Sequence, residues 1–68
     1  MDIALIGCGF VADFYMQSLD LYPELRLCGI FDRDDARARA FAAHHGIATV
    51  YPDLDTLLSD ARIGMVLN

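Results

Sequence analysis

Apolar residues in this chain come in short runs, separated by stretches with helical spacing. Ile3-Ala4-Leu5-Ile6 is a continuous apolar run that stops at Gly7. A run this short, bounded by glycine, predicts a buried strand over Asp2 to Ile6. From about Phe10 to Leu21, Val11, Phe14, Tyr15, Ser18, Leu19 and Tyr22 fall at three- and four-residue steps. That spacing predicts a helix with one face for a sheet. Asp13, Gln17 and Asp20 fall mainly on the other side, and Asp13 in the first turn suits the helix dipole. Proline cannot continue a helix, so Tyr22-Pro23-Glu24 ends it.

Leu25 to Phe31 is a second strand. A second helix runs from about Asp34 to His45, with Ala36, Ala40, Phe41 and His44 as its inward face and Gly46 as its C-terminal cap. Asp35 and Arg39 are four apart and Asp34 and Arg37 three apart, spacings typical of a solvated helix face. Ile47 to Tyr51 is a short third strand ending at Pro52. Asp53 caps a third helix, roughly Leu54 to Asp60, with Leu54, Leu57 and Leu58 inward. Arg62-Ile63-Gly64 is a turn, and Met65-Val66-Leu67 opens a fourth strand.

The element order is β-α-β-α-β-α-β. Right-handed crossovers make such a sheet parallel, which gives an α/β, Rossmann-type fold with expected strand order 3-2-1-4. The fourth strand is then left with an open edge where further strands belong, so the sheet reads as truncated.

Composition adds to this picture. A chain of 68 residues is at most one small domain and buries only about 60% of the surface its unfolded form exposes. Yet 56% of its residues are apolar or aromatic, which suits parallel strands covered on both faces. The mismatch predicts that residues 1–68 are the N-terminal part of a larger dinucleotide-binding domain. The net charge of −5, with five arginines and no lysine, argues against nucleic acid, whose phosphates need basic contacts. No apolar run approaches the roughly 20 residues of a membrane span. The N-terminus has no signal-peptide pattern, so a cytoplasmic location is the default. If the first two strands end level, Cys8 and Cys28 lie on the order of 13 Å apart along the strand direction, too far for a disulfide. Cys28 then reads as a small core residue and Cys8 as a variable loop position.

The candidate chemistry sits where the first strand meets the first helix. Gly7-Cys8-Gly9-Phe10-Val11-Ala12 is Gly-x-Gly-x-x-Ala in strand–helix context, the setting in which this pattern means dinucleotide binding. Gly7 permits the tight turn, Gly9 lets a pyrophosphate approach the backbone, and Ala12 lets the helix pack on the strand. The helix N-terminus faces the anion. Asp32 ends the second strand, 20 residues beyond Ala12, where an acid accepts hydrogen bonds from the adenosine ribose hydroxyls. Taken alone, the glycines could be an ordinary strand-to-helix turn and Asp32 a helix N-cap; together in one βαβ unit they indicate a nucleotide site.

Over essentially its whole length the chain resembles the N-terminal end of the glucose–fructose oxidoreductase and inositol dehydrogenase (Gfo/Idh/MocA) family of NAD(P)-dependent oxidoreductases. The resemblance rests on Ile3 to Gly9, Ala12, Phe31-Asp32-Arg33-Asp34, Ala40-Phe41-Ala42, His45-Gly46-Ile47 and Tyr51 to Asp60. It implies a Rossmann domain followed by a domain carrying substrate and oligomer contacts, and oxidation of a sugar, cyclitol or related hydroxyl, or reduction of the matching carbonyl. By that resemblance Gly7, Gly9, Phe10, Val11 and Ala12 match the pyrophosphate loop, and Asp32 and Arg33 the ribose-reading positions. The family's catalytic lysine sits in a Glu-Lys-Pro motif that falls beyond Asn68, and this chain has no lysine, so no catalytic residue is carried over. Tyr15 stands where many members have histidine. Asp32 favours NAD, because a carboxylate repels a 2′-phosphate; Arg33 can accommodate that phosphate and keeps NADP open.

Other readings are weaker. A methyltransferase usually has an acid just before the first glycine and another glycine soon after the second, and a flavin site wants glycine at Ala12. A non-catalytic nucleotide-binding or regulatory module, or an inactive fragment, stays open. Adjacent His44 and His45 point about 100° apart on a helix and do not form a metal pair.

Overall fold

A computed structural model of the chain describes the backbone of residues 1–68 and every side chain except those of Phe10, Val11 and Asp13. The expected helix-face position of Val11 and dipole position of Asp13 lie outside the described residues. The elements are β1 (Asp2–Ile6), α1 (Phe10–Leu19), β2 (Arg26–Phe31), α2 (Asp35–His45), β3 (Thr49–Val50), α3 (Leu54–Leu58) and β4 (Met65–Leu67). All pairings are parallel and the strand order is β3-β2-β1-β4, the order expected of a Rossmann-type half.

Several elements are shorter than their sequence patterns. After Leu19 the chain tightens into turns, with the Leu21 amide donating to Ser18 O and the Tyr22 amide to Leu19 O, 3.0 Å each. Such three-residue closures commonly finish a helix before a proline. β3 keeps only two residues, although the Tyr51 amide still donates to Ile30 O at 2.8 Å. Gly46 closes α2 in the left-handed conformation, φ +70, which glycine adopts without strain.

Two cores flank the sheet. On one face Ala12, with Tyr15 and Met16 beside it, and Ala38, Phe41 and Ala42 pack over Leu5, Cys8, Ile30 and Ile47. On the other, Leu57 and Tyr51 pack over Ala4, with Ile6, Phe31 and Val66 alongside. This corrects three expected helix faces. In α1 the inward stripe is Ala12, Tyr15 and Met16, while Phe14 is 64% exposed and Tyr22 50%. At 100° per residue, fixing Ala12 against the sheet turns Phe14 about 200° away. In α2, Ala36, Ala40 and His44 are exposed and Ala38, Phe41 and Ala42 buried. A helix with alanine at 36, 38, 40, 42 and 43 offers a small residue on every side, so only Phe41 marks its phase. In α3 Leu57 is buried whereas Leu54 and Leu58 are exposed; five residues make barely more than one turn, and one leucine fills the contact.

Two local features of β2 position the site. The register runs Ile3 to Leu27 and then Ala4 to Gly29, so Cys28 is an extra residue, and Ile6 ends opposite Phe31. Such a bulge shifts the pairing by one and re-aims the side chains beyond it. Gly29 lies beneath the Tyr51 ring, where a Cβ would run into the ring edge.

Candidate functional site

Because Ile6 and Phe31 are partners, the next residues, Gly7 and Asp32, leave the sheet side by side. Gly7 turns the chain with φ +91, a value that an L side chain adopts only under strain. Its amide donates to Phe31 O at 2.7 Å. The next amide, of Cys8, donates to Asp32 Oδ2 at 2.8 Å, and Asp32 Oδ1 accepts from the Asp34 amide, also at 2.8 Å. The two strand tips that the sequence pattern assigns to one nucleotide therefore touch through a main-chain bond and a side-chain bond.

Gly9 plays a different part from Gly7. Its backbone is extended, φ −84 and ψ −159, and it is the N-cap of α1 without a side-chain cap bond. A Cβ built on it meets no atom within 4 Å. The position is bare on the outside, which is what close approach of an anion to a helix N-terminus requires. Ala12 is buried against the sheet, as its packing role predicts. For Phe10 and Val11 the expected loop contacts would involve side chains outside the described residues; their backbone opens α1.

Two cavities lie either side of this loop. One, about 260 Å³, is lined by Ile6 to Gly9 on one side and by Phe31, Asp32, Arg33 and Arg37 on the other. The second, about 280 Å³, lies toward the end of β4 and is lined by Leu5, Ile6, Gly7, Gly9, Ala12, Tyr15 and Asn68. They share Ile6, Gly7 and Gly9. The strand order reverses between β1 and β4, the switch point at which open α/β sheets bind ligands outside the strand C-termini. A larger open depression of about 680 Å³ lies along β3 and α3, with Asp55, Asp60 and Arg62 in its lining; Asp60 and Arg62 pair with each other at 2.8 Å.

The electrostatics suit a carboxylate that stays ionised. The Asp34 amide does most to hold the Asp32 carboxyl below its usual range; burial opposes it, and the Cys8 amide and then the charges of Arg37 and Arg33 add to the lowering. Cys8 goes the other way: burial, aided by the Asp32 charge, pushes its thiol up to about 11. A thiol so protonated is a poor nucleophile. Cys8 is thus a loop position whose side chain is buried and whose amide is bonded to Asp32. Cys28 is a half-buried free thiol at the bulge, donating weakly to Ile3 O at 3.6 Å.

Asp32 is not the helix cap that was its alternative reading, since Asp34 caps α2 by accepting from the Arg37 amide at 3.1 Å. The expected Asp34–Arg37 pairing is this cap. Asp35 and Arg39 do pair, at 2.7 Å. Arg37 is the site residue that the pattern missed. With Asp34 as N-cap, Arg37 falls in the first turn of α2, beside the β2 tip, and that cap position was the available signal. Among the described residues no group of histidine, cysteine and carboxylate side chains could hold a metal ion, and no helix is long and apolar enough to cross a membrane.

The model of the Gfo/Idh/MocA oxidoreductase family, NAD-binding Rossmann fold, matches residues 1–67. The chain belongs to this family. This Gfo/Idh/MocA chain finds no match among curated proteins, but solved structures resemble it closely. GenD2 from gentamicin A biosynthesis, in complex with NAD, is 27% identical with a TM-score of 0.84, covering 97% of this chain and 19% of that one. An NAD binding oxidoreductase from Klebsiella pneumoniae is 32% identical with a TM-score of 0.74, covering 97% and 20%. The UDP-N-acetylglucosamine 3-dehydrogenase GnnA from Acidithiobacillus ferrooxidans is 30% identical with a TM-score of 0.75, again covering 97% and 20%. The chain spans about a fifth of the length of these proteins. It is an NAD-binding domain of Rossmann type, and its family is one of oxidoreductases.

Proposed function

We propose that this chain is the N-terminal part of the dinucleotide-binding domain of an oxidoreductase, and that it grips the ADP half of NAD, with NADP as a second cofactor. Gly7, Gly9 and the backbone of Phe10 and Val11 receive the pyrophosphate, Ala12 sets the helix against the sheet, and Asp32 accepts from the adenosine ribose hydroxyls. Arg33 and Arg37 face the same cavity and supply positive charge for the adenosine phosphates. The observation that carries this reading is the level register of the two tips, Ile6 against Phe31, which sets Gly7 beside Asp32.

When bound, the nicotinamide ring supplies a hydride acceptor or donor. The cavity toward β4, lined by Tyr15 and Asn68, is on the side of the loop away from Asp32 and fits the nicotinamide half. The substrate class is a sugar, cyclitol or related hydroxyl or carbonyl compound, handled by a domain outside these 68 residues. That class is supported by family membership and by the sugar-related names of GnnA and GenD2. The catalytic groups and the homo-oligomer contacts belong to that outside domain. On its own the 68-residue piece is inactive and associates through the open edge of β4. Calorimetric titration of the intact protein with NAD and NADP tests the site. Binding of NAD is expected, and failure to bind either dinucleotide refutes the reading.

A further inference from the structure

Asp32 has a task that the ribose assignment does not include. Its Oδ2 already accepts the Cys8 amide and its Oδ1 the Asp34 amide. A carboxylate offers about four lone-pair sites, so two N–H bonds leave room for hydroxyl donors. Cys8 stands between the two loop glycines. Its side chain is fixed from below, buried in the core with Leu5, Ala12 and Ile30, and its amide is fixed from the side by Asp32. Gly7 next to it has the strained-for-others φ of +91 and Gly9 has no side chain to anchor it. Among the described residues, the bond from the Gly7 amide to Phe31 O is the other hydrogen bond between the loop and the β2 tip.

We propose that Asp32 is a positioning residue for the pyrophosphate loop: by taking the Cys8 N–H it holds the Gly7–Gly9 backbone in its anion-receiving shape, independently of any contact with the ribose. This rests on the nucleotide reading above. One carboxylate then couples the two halves of the site. The amide that it holds is already occupied by the carboxylate, so the anion is left to the amides at the start of α1. A hydrogen bond to a charged acceptor is strong enough for its loss to matter at roughly the tenfold level in affinity.

The test separates the two tasks with ligands. ADP carries the ribose hydroxyls; 2′,3′-dideoxy-ADP lacks them and keeps the diphosphate. Calorimetry of the intact wild-type protein and Asp32→Ala with both is the experiment. The strap predicts that Asp32→Ala weakens dideoxy-ADP about tenfold or more, and that exchange of the Cys8 amide with solvent accelerates in the variant. If the variant loses affinity for ADP alone and binds dideoxy-ADP as the wild type does, the strap is overturned while the ribose contact stands. A wild-type protein that binds neither ligand overturns both. Should the alanine variant fail to fold, Asp32→Asn keeps the volume and leaves one acceptor oxygen for two amide donors. A loss on the dideoxy ligand there supports the strap, and an unchanged affinity for it overturns the proposal.

Discussion

The two glycines of the loop are alike in sequence but differ in what they do, and substituting alanine at each separates folding from binding. At Gly7 an added Cβ meets nothing within 4 Å, so the cost of alanine is conformational. The backbone is at φ +91, where an L residue is penalised by about 1–2 kcal/mol. In the intact protein, where these residues are part of a larger domain, each kcal/mol moves the thermal midpoint by roughly 2–4 °C, so Gly7→Ala is expected to lower it by about 2–8 °C. At Gly9 the backbone is already in a region open to alanine, and the Cβ again meets nothing. Alanine is a poorer N-cap than glycine, by about 0.5–1 kcal/mol, but it loses less chain entropy on folding, by about 0.4–1 kcal/mol. The two effects offset, leaving stability within roughly 0.5 kcal/mol of wild type. The same Cβ stands where the pyrophosphate must approach, so NAD affinity should fall at least about tenfold, the equivalent of ~1.4 kcal/mol. Thermal unfolding and calorimetry on the same samples read both quantities. A Gly9→Ala protein that keeps its NAD affinity, or a Gly7→Ala protein as stable as Gly9→Ala, would refute the division of labour.

Two more outcomes concern the second core and the ionisable groups. Gly29→Ala drives a Cβ into the buried Tyr51 ring; overpacking of this kind costs about 1–3 kcal/mol, and chemical denaturation should show that loss, partly recovered by adding Tyr51→Leu. Stability should also fall at both ends of the pH scale. Asp32, Asp53 and Asp60 are held below the ordinary carboxyl value of 3.8, Asp32 chiefly by an amide bond, Asp53 by Thr56 and Asp60 by Arg62. A carboxyl depressed on folding adds stability above its unfolded value and loses it as pH falls through the folded one, so the midpoint should drop below about pH 4. Burial and the bond to Asp60 raise Tyr51 from 10.0 to about 12, and burial raises Cys8 from 9.0 to about 11. A raised acid is stabilising below its unfolded value and loses that benefit as pH rises through the folded one. Thermal midpoints should therefore decline between pH 9 and 12, and Tyr51→Phe should make the decline shallower above pH 10 and remove it above about pH 11, where Cys8 has already titrated. A flat profile there would contradict the buried hydroxyl.

Much of the molecule is legible in the sequence because its chemistry is local. A glycine that must turn, a glycine that must be bare and an acid at the next strand tip are stated by residue type and spacing, and the structure sets Gly7 beside Asp32 as that spacing requires. Handedness makes the strands parallel, and the dinucleotide pattern at the first turn selects the Rossmann order 3-2-1-4 among the parallel orders. The phase of the helices is less legible. Ser18 and the aromatic residues of α1 suggest a stripe through Phe14, but the small Ala12, which must meet the sheet, decides the rotation. In α2 the alanines point every way and carry no phase. Arg37 is hidden because its spacing suggests a partner in Asp34, whose carboxylate instead caps the backbone. The amide of Cys8 is invisible for a simpler reason: main-chain donors leave no mark in the choice of side chain.

The surplus residue in β2 has a consequence for how such a strand is built. Sheet faces alternate with period two, yet Leu27 and Ile30, three apart, serve one core, while Phe31 serves the other. Cys28 supplies the odd step that reconciles them. Parity is thus reset inside the strand, downstream of the turn at Tyr22 to Glu24. That turn is free to lengthen or shorten without carrying the acid out of step, because the count that matters to Asp32 begins only after the odd step has been taken.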